Sequence, residues 1–347
     1  MYNKFFCGID VSKKKLDVVL LVEDNHFYKI FSNSVEGIEL LEKWLSSKVE
    51  PNSLIHICIE ATNIYHELVA CSISEKEQFK ISVVNPRKVK HFANVLVKTK
   101  TDKVDAKLLA LYCKHFEPEK FIPPSKERIE LRELSRLMDN LIELRMIQKV
   151  RLQTFKTEAA ARGVLSTIKS IDNTIAKIKK EINSYYDNFE DLNKEKELLN
   201  SIPSFGERIS NVLQVEMPKD EYGKYNAKKL TAYFGLDVRE WQSGSSIMGK
   251  PRISKFGNPR VRNMLYMAAL VVISKNLFYA DFYNRLIEKG KPKKVALVAV
   301  MRKLLVLSCA ILNSGKPFDL NHISIQPNQK VQVQNNVIYC DKFSKVS

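Results

Sequence analysis

Lys4-Phe5-Phe6-Cys7-Gly8-Ile9-Asp10-Val11-Ser12-Lys13-Lys14-Lys15-Leu16-Asp17-Val18-Val19-Leu20-Leu21-Val22 decides the fold of the first part of the chain. Phe5 to Ile9 is a short apolar run ending in Asp10, and Leu16 to Val22 is a second one after a Ser-Lys-Lys-Lys turn. The segment therefore reads as two strands joined by a turn, with Asp10 at a strand end. A third strand is expected over residues 26–31, and a helix over 35–45, where Ile38, Leu40, Leu41 and Trp44 fall at helical spacing. Leu54 to Ile59 is another apolar strand, running into Glu60. A helix over 64–72, a strand over 81–84 stopped by Asn85-Pro86, and helical segments to about Lys114 complete the pattern. Strands alternating with helices predict an α/β domain with a central sheet over residues 1–125.

From about Lys126 the texture becomes long, charged and helical, with Leu131, Leu134, Met138 and Leu141 at alternating spacings of three and four. Beyond an expected reversal near Ala161-Arg162-Gly163, the same alternation continues through Ile168, Ile171, Ile175, Ile178, Ile182, Tyr185, Phe189 and Leu192. This is the pattern of a coiled-coil seam over residues 126–197, closed within one chain or between subunits. Residues 198–320 read as a mainly α domain. It opens on a turn at 201–208 that weakly resembles a helix-hairpin-helix, although a plain helix–helix connection is the better reading. Residues 321–347 read as a polar tail.

The chain has 347 residues, a formal net charge of +17, 45% hydrophobic and 27% charged residues, values that exclude disordered, collagenous and disulfide-scaffold classes. The cationic surplus favours a polyanionic partner, nucleic acid first. No apolar run approaches the roughly 20 residues of a membrane span, and the start has no signal-peptide plan, so a cytosolic, nucleoid-associated protein is expected. The six cysteines have no metal-ligand spacing and read as buried thiols.

Four acids carry the first chemical signal. Asp10 and Glu60 end two predicted strands, and Asp102 and Asp105 are three apart on a predicted helix, which places them on one face. If the strands are neighbours and the helix packs across their ends, the carboxylates converge into an oxygen-rich site suited to Mg²⁺ or Mn²⁺. Two such ions about 4 Å apart can activate a nucleophile and stabilise a leaving oxygen in phosphodiester displacement. The acids lie among cations: Arg87, Lys88, Lys90, Lys98, Lys100, Lys103 and Lys107. That pattern suits a metal site beside a phosphate backbone. A second constellation, Gln242-Ser243-Gly244-Ser245-Ser246, opens a stretch that holds Lys250, Arg252, Lys255, Arg260, Arg262 and Lys275 and no acid. A serine in such cationic surroundings can attack a phosphodiester; read alone, the same residues make a flexible turn.

These motifs stand in a recognisable order: Gly8-Ile9-Asp10-Val11-Ser12-Lys13, Ile59-Glu60-Ala61-Thr62, Asn85-Pro86 and Lys100-Thr101-Asp102-Lys103-Val104-Asp105-Ala106 in the first half. Ile202-Pro203 with Gly206, Gly235-Leu236, Gln242-Ser243-Gly244 and Ile253-Ser254-Lys255-Phe256-Gly257-Asn258 leading to Arg262 follow in the second. Over about residues 5–315 the chain resembles the IS110 (IS110/IS1111) insertion-sequence transposases, the bridge-RNA-guided recombinases. The resemblance implies a RuvC-like domain of the RNase H superfamily with a D-E-D-D metal site at Asp10, Glu60, Asp102 and Asp105. It implies Ser243 as nucleophile, leaving a transient phosphoserine link to DNA, with Ser243 of one subunit completing the acid site of another in a dimer or tetramer. It implies donor and target DNA as substrates and a non-coding bridge RNA that pairs with both. Two departures stand out: the family's Ile-Pro-Gly-x-Gly turn is Ile-Pro-Ser-Phe-Gly here, and its proline after Gly-Leu is Asp237.

Three rivals use the same residues. A RuvC-like metal-dependent nuclease or Holliday-junction resolvase would use water and leave Ser243 structural. An actin-like sugar kinase would need glycine-rich phosphate loops, for which 11 glycines are few. A non-catalytic nucleic-acid-binding protein would keep the acids only for charge balance.

Overall fold

The computed structural model describes residues 4–23, 25–51, 53–61, 65–96, 101–220, 222–243 and 247–319, with the side chains of 94–96 and 240–250 outside that description. Strands β1 (Lys4–Val11), β2 (Lys15–Val22), β3 (Asn25–Ser32), β4 (Leu54–Glu60) and β5 (Phe79–Val84) form one sheet in the order β3-β2-β1-β4-β5. β1, β2 and β3 pair antiparallel, whereas β4 and β5 run parallel to β1.

Alternation along the strands gives the sheet two different faces. Cys7, Ile9, Val11, Leu16, Val18 and Leu20 pack against α1 (Val35–Ser46) and α2 (Tyr65–Ser74) through Ile38, Leu41, Leu45, Val69 and Ile73. The opposite face is covered by α4 (Asp102–Phe116), with Val19 against Ala106 and Ala110, and Cys58 against Leu109 and Cys113. α3 (Pro86–Leu96) adds Val89 to that layer. Gly8 is required beneath α4: a Cβ there would lie 2.1 Å from the carbonyl of Ala106 and 2.3 Å from the nitrogen of Ala110.

α5 (Lys126–Leu152) and α6 (Glu158–Asn188) pack lengthwise and antiparallel, as the Arg145–Asp172 and Tyr185–Glu130 contacts require. Their base is closed by Leu131, Ile178, Ile182 and Tyr186, together with Leu192 and Val215. The expected reversal at Ala161-Arg162-Gly163 is corrected: those residues lie inside α6, and the chain turns over 153–157, where Thr154 folds back onto the Arg151 carbonyl. A lone glycine on an exposed helix face lowers stability without ending the helix, so Gly163 was a poor stop signal. Towards the turn, Leu144, Met146, Ile147, Val150, Phe155 and Leu165 are exposed.

The C-terminal part is built from α7 (Glu190–Asn200), α8 (Glu207–Glu216), α9 (Ala227–Tyr233), α10 (Pro259–Lys275), α11 (Leu277–Glu288) and α12 (Lys293–Ser314). An antiparallel ribbon of β6 (Val238–Ser243) and β7 (Ile247–Ile253) projects between α9 and α10. The turn at 201–208 is drawn into this core: Ile202 and Phe205 are buried and the Ser204 hydroxyl donates to the Ala268 carbonyl at 3.0 Å. α12 corrects the membrane-span expectation, since it is long and apolar enough to cross a bilayer. Its Leu297, Val300, Met301, Leu304, Leu305 and Ile311 instead lie in the largest apolar cluster of the described residues, with Arg302 and Lys303 interrupting the run. Cys7, Cys58, Cys113 and Cys309 are buried free thiols and Cys71 is half-buried. The 321–347 tail, including Cys340, lies outside the described residues.

Candidate active site

Because side chains alternate, Asp10 shares the Gly8 face of β1 and Glu60 shares the Cys58 face of β4, so both carboxylates stand under α4. The parallel β1–β4 register runs through Ile9 opposite Ile59, which places Asp10 and Glu60 side by side just beyond it. α4 begins at this same edge. The Thr101 side chain caps it by accepting from the Val104 N–H, and Asp102 and Asp105 occupy its first turn. Acids at a helix N-terminus are favoured by the unpaired N–H groups and the helix dipole. The close Gly8–Ala106 approach then brings that turn down to β1.

The charges at this edge act on one another. The Asp10 carboxyl is pushed up to about 6, first by burial, then by the negative charges of Asp105, Asp102 and Asp17, against the opposing pull of Lys15. Asp17, Lys15 and Tyr28 are residues that the sequence reading did not single out. Asp17 pairs across from Asp10 in the β1–β2 register and is only 2% exposed. The Lys15 ammonium lies 2.5 Å from Asp102 Oδ2 and 3.0 Å from Asp17 Oδ2, and these two carboxylates hold it charged. Tyr28 donates its hydroxyl to Asp17 at 2.6 Å, which raises the phenol to about 12. A signal for them existed: Lys15 and Asp17 are polar at alternate positions of an otherwise apolar strand, on the side Asp10 faces.

By donor type and charge the cluster suits a hard divalent cation, since its donors are carboxylates whose mutual repulsion a cation relieves. Among the described residues, no three Asp, Glu, His or Cys side chains are close enough to hold a metal ion between them. The acids are gathered at one edge, with Lys15 as an internal counter-charge, rather than closed onto one point.

Ser243 is the last residue of β6, opposite Ile247, but its side chain and residues 244–246 lie outside the described residues. Lys98, Lys100 and the side chain of Lys250 do so as well. Arg87, Lys88, Lys90, Lys103, Arg252 and Lys255 are exposed and positioned to meet solvent or a polyanion. Two of the expected phosphate contacts also have partners within the protein. Arg260 is a structural cation, held by Asp139, by Glu216 at 2.9 Å and by the Ser135 hydroxyl at 2.7 Å, with its side chain 15% exposed. Arg262 donates to the carbonyls of Phe234 at 3.0 Å and Gly257 at 3.1 Å. Both residues sit at the start of α10, which Asn258 caps.

A family model of IS110 DEDD transposases, described as "Transposase", matches residues 7–159, and another, "Transposase IS116/IS110/IS902 family", matches residues 196–284. The chain is 32% identical over 324 residues to the pilin gene-inverting protein of Moraxella bovis, an alignment covering 91% of this chain and 98% of that protein. The pilin gene-inverting protein of Moraxella lacunata matches to the same extent. With both halves matched by transposase models and nearly its whole length by these relatives, the chain belongs to the IS110 family of DNA transposases.

Proposed function

We propose that the protein cleaves and rejoins DNA strands through a serine nucleophile working beside a carboxylate-held metal site, in an RNase H-like, RuvC-type domain. The observation that carries this reading is the gathering of Asp10, Asp102 and Asp105 at the edge where Glu60 also stands. The strand order β3-β2-β1-β4-β5, with acids on β1 and β4 and on a helix crossing them, supports the same fold assignment. Asp10, Glu60, Asp102 and Asp105 would hold Mg²⁺ or Mn²⁺, which supplies Lewis-acid stabilisation of charge on the phosphoryl and leaving oxygens.

The chain's own residues do the rest. The Ser243 oxygen forms a bond to phosphorus as the bond from phosphorus to a deoxyribose oxygen breaks; the serine proton departs and the freed deoxyribose oxygen gains one. The reverse displacement by a DNA hydroxyl on the phosphoserine rejoins the strand and restores the serine. Lys88, Lys90, Lys103, Arg252 and Lys255 supply salt-sensitive backbone affinity. A bridge RNA pairing with donor and target DNA would supply sequence choice, and a dimer or tetramer would bring one subunit's Ser243 to another's acids.

The test incubates purified protein, RNA transcribed from the element's flank, donor and target DNA with Mg²⁺, followed by denaturing gels and mass spectrometry. A DNA adduct at Ser243 that is lost in Ser243→Ala, in Asp102→Ala and in EDTA is the expected result. Free cleaved ends that persist in Ser243→Ala would instead establish the water-using nuclease.

A further inference from the structure

The ring of Phe256 is flanked by two arginines from distant parts of the chain. The guanidinium carbon of Arg87 lies 3.1 Å from the ring centroid and that of Arg239 lies 3.9 Å from it. Two guanidinium groups in contact with one ring at these distances can only occupy opposite faces, so the three residues form a stack. Arg87 lies in the first turn of α3, three residues beyond the β5 position that pairs with Glu60. Arg239 lies at the root of the ribbon carrying Ser243, and Phe256 follows β7. The stack therefore joins the acidic edge of the sheet to the base of the serine ribbon.

Three properties argue for a ligand. Both arginines are exposed, and among the described residues neither has an ion pair or a side-chain hydrogen bond, so their N–H groups are left for solvent or ligand. Guanidinium groups held flat on a ring keep their hydrogen-bonding edges free, in a geometry that matches phosphate. Two cations fixed on one ring, in a chain of net charge +17, repel each other until an anion lies across them.

The platform between them is rigid. Lys255 donates its N–H to the Gly235 carbonyl at 3.1 Å, Ser254 donates to Asp237 from both backbone and side chain, and Arg262 fastens the carbonyls of Phe234 and Gly257. Gly235 is needed in that lock: its φ is +68°, and a Cβ would meet the Phe256 carbonyl at 2.1 Å.

We propose that Arg87, Phe256 and Arg239 form a phosphate clamp that grips the DNA backbone where the strand passes from the acidic edge to the serine ribbon. The proposal rests on the recombinase reading for its ligand and adds Arg239 and Phe256 to the nucleic-acid surface. The test measures binding of a fluorescein-labelled DNA duplex by anisotropy from 50 to 300 mM salt, on full-length protein, with thermal melts of every variant. The expected result is that Arg87→Gln and Arg239→Gln each weaken binding several-fold and lower the slope of log K against log salt by about 1. Phe256→Leu, which removes no charge, should also weaken binding and flatten the slope, because both guanidinium groups lose their platform.

Wild-type DNA affinity in the double arginine variant would overturn the clamp, as would a fall in melting temperature without a change in DNA affinity, which marks an interdomain tie only. Loss confined to a single-stranded RNA probe would also overturn the assignment to DNA. Metal-dependent cleavage by Asp102→Ala measured alongside separates the two ideas: if that variant still cleaves while the arginine variants bind weakly, the clamp stands and the carboxylate reading falls.

Discussion

At the acidic edge, α4 is seated on β1 by apolar contact at the shortest range a backbone allows, through Gly8, Ala106 and Ala110. At the junction beneath the serine ribbon, α5, α8 and α10 meet instead through charge: Arg136 bridges to Glu216 at 2.8 Å, and Arg260 joins Glu216, Asp139 and Ser135. The first arrangement fixes distances between carboxylates that repel one another, which only stiff packing can do. The second fixes the frame of a projecting ribbon with directional bonds that lose strength when any member is removed. One protein thus uses close packing where acids must be held together and ion pairs where separate helices must be held in register.

The largest effect should come from the charged junction. Arg260→Ala leaves Asp139 and Glu216 with half their partners at a site 13% and 5% exposed. A loss of about 3–5 kcal/mol in urea unfolding is expected, and a loss under 1 kcal/mol would break the contrast. Gly8→Ala tests the other side: its Cβ meets backbone rather than a flexible side chain, so α4 must move. About 3 kcal/mol of destabilisation is expected from this overpacking, together with loss of Mg²⁺-dependent cleavage in whatever fraction remains folded.

Asp237→Ala removes the acceptor of the Ser254 hydroxyl at the ribbon root and should cost about 1–2 kcal/mol, read as a shift of the thermal midpoint.

The smallest change has the opposite sign. Because the Asp10 pKa is raised in the fold, from 3.8 to about 6, its effect on stability is favourable below about pH 4 and is lost as pH rises through 6. Asp10→Asn should therefore stabilise the metal-free protein at pH 7.5, by about 1 kcal/mol once solvent screening of a half-buried group is allowed for. That gain should vanish near pH 4, so melts across this range check both sign and window. Equal gains at both pH values would show that Asp10 is not repelled by its neighbours.

The four acids were legible because strand ends and helix first turns are local properties: alternation around Ile9 and Ile59, and the Thr101 cap before Asp102, place them without tertiary knowledge. The strand pattern likewise carried the α/β sheet, and the three-four spacing carried the pairing of α5 with α6. The turn between those helices was misplaced because a glycine weakens a helix by too little to announce its end. Lys15 and Asp17 were passed over because a charged residue in a strand is read as solvent-facing until the covering helix is known.

What the sequence determined by itself is therefore the α/β sheet with its helices, the long helical middle, the place of the acids at strand and helix ends and the excess of cations, all of which depend on residues a few positions apart; the β6–β7 ribbon, whose strands carry no such pattern, was not among them. The tertiary structure alone decided which cations face outward. Arg87 and Arg239 end on Phe256 with free edges, while Arg260 is consumed by Asp139 and Glu216, residues 121 and 44 positions away. A guanidinium has the same charge in either place, and only the carboxylates that folding brings beside it determine whether that charge holds the protein together or remains for DNA.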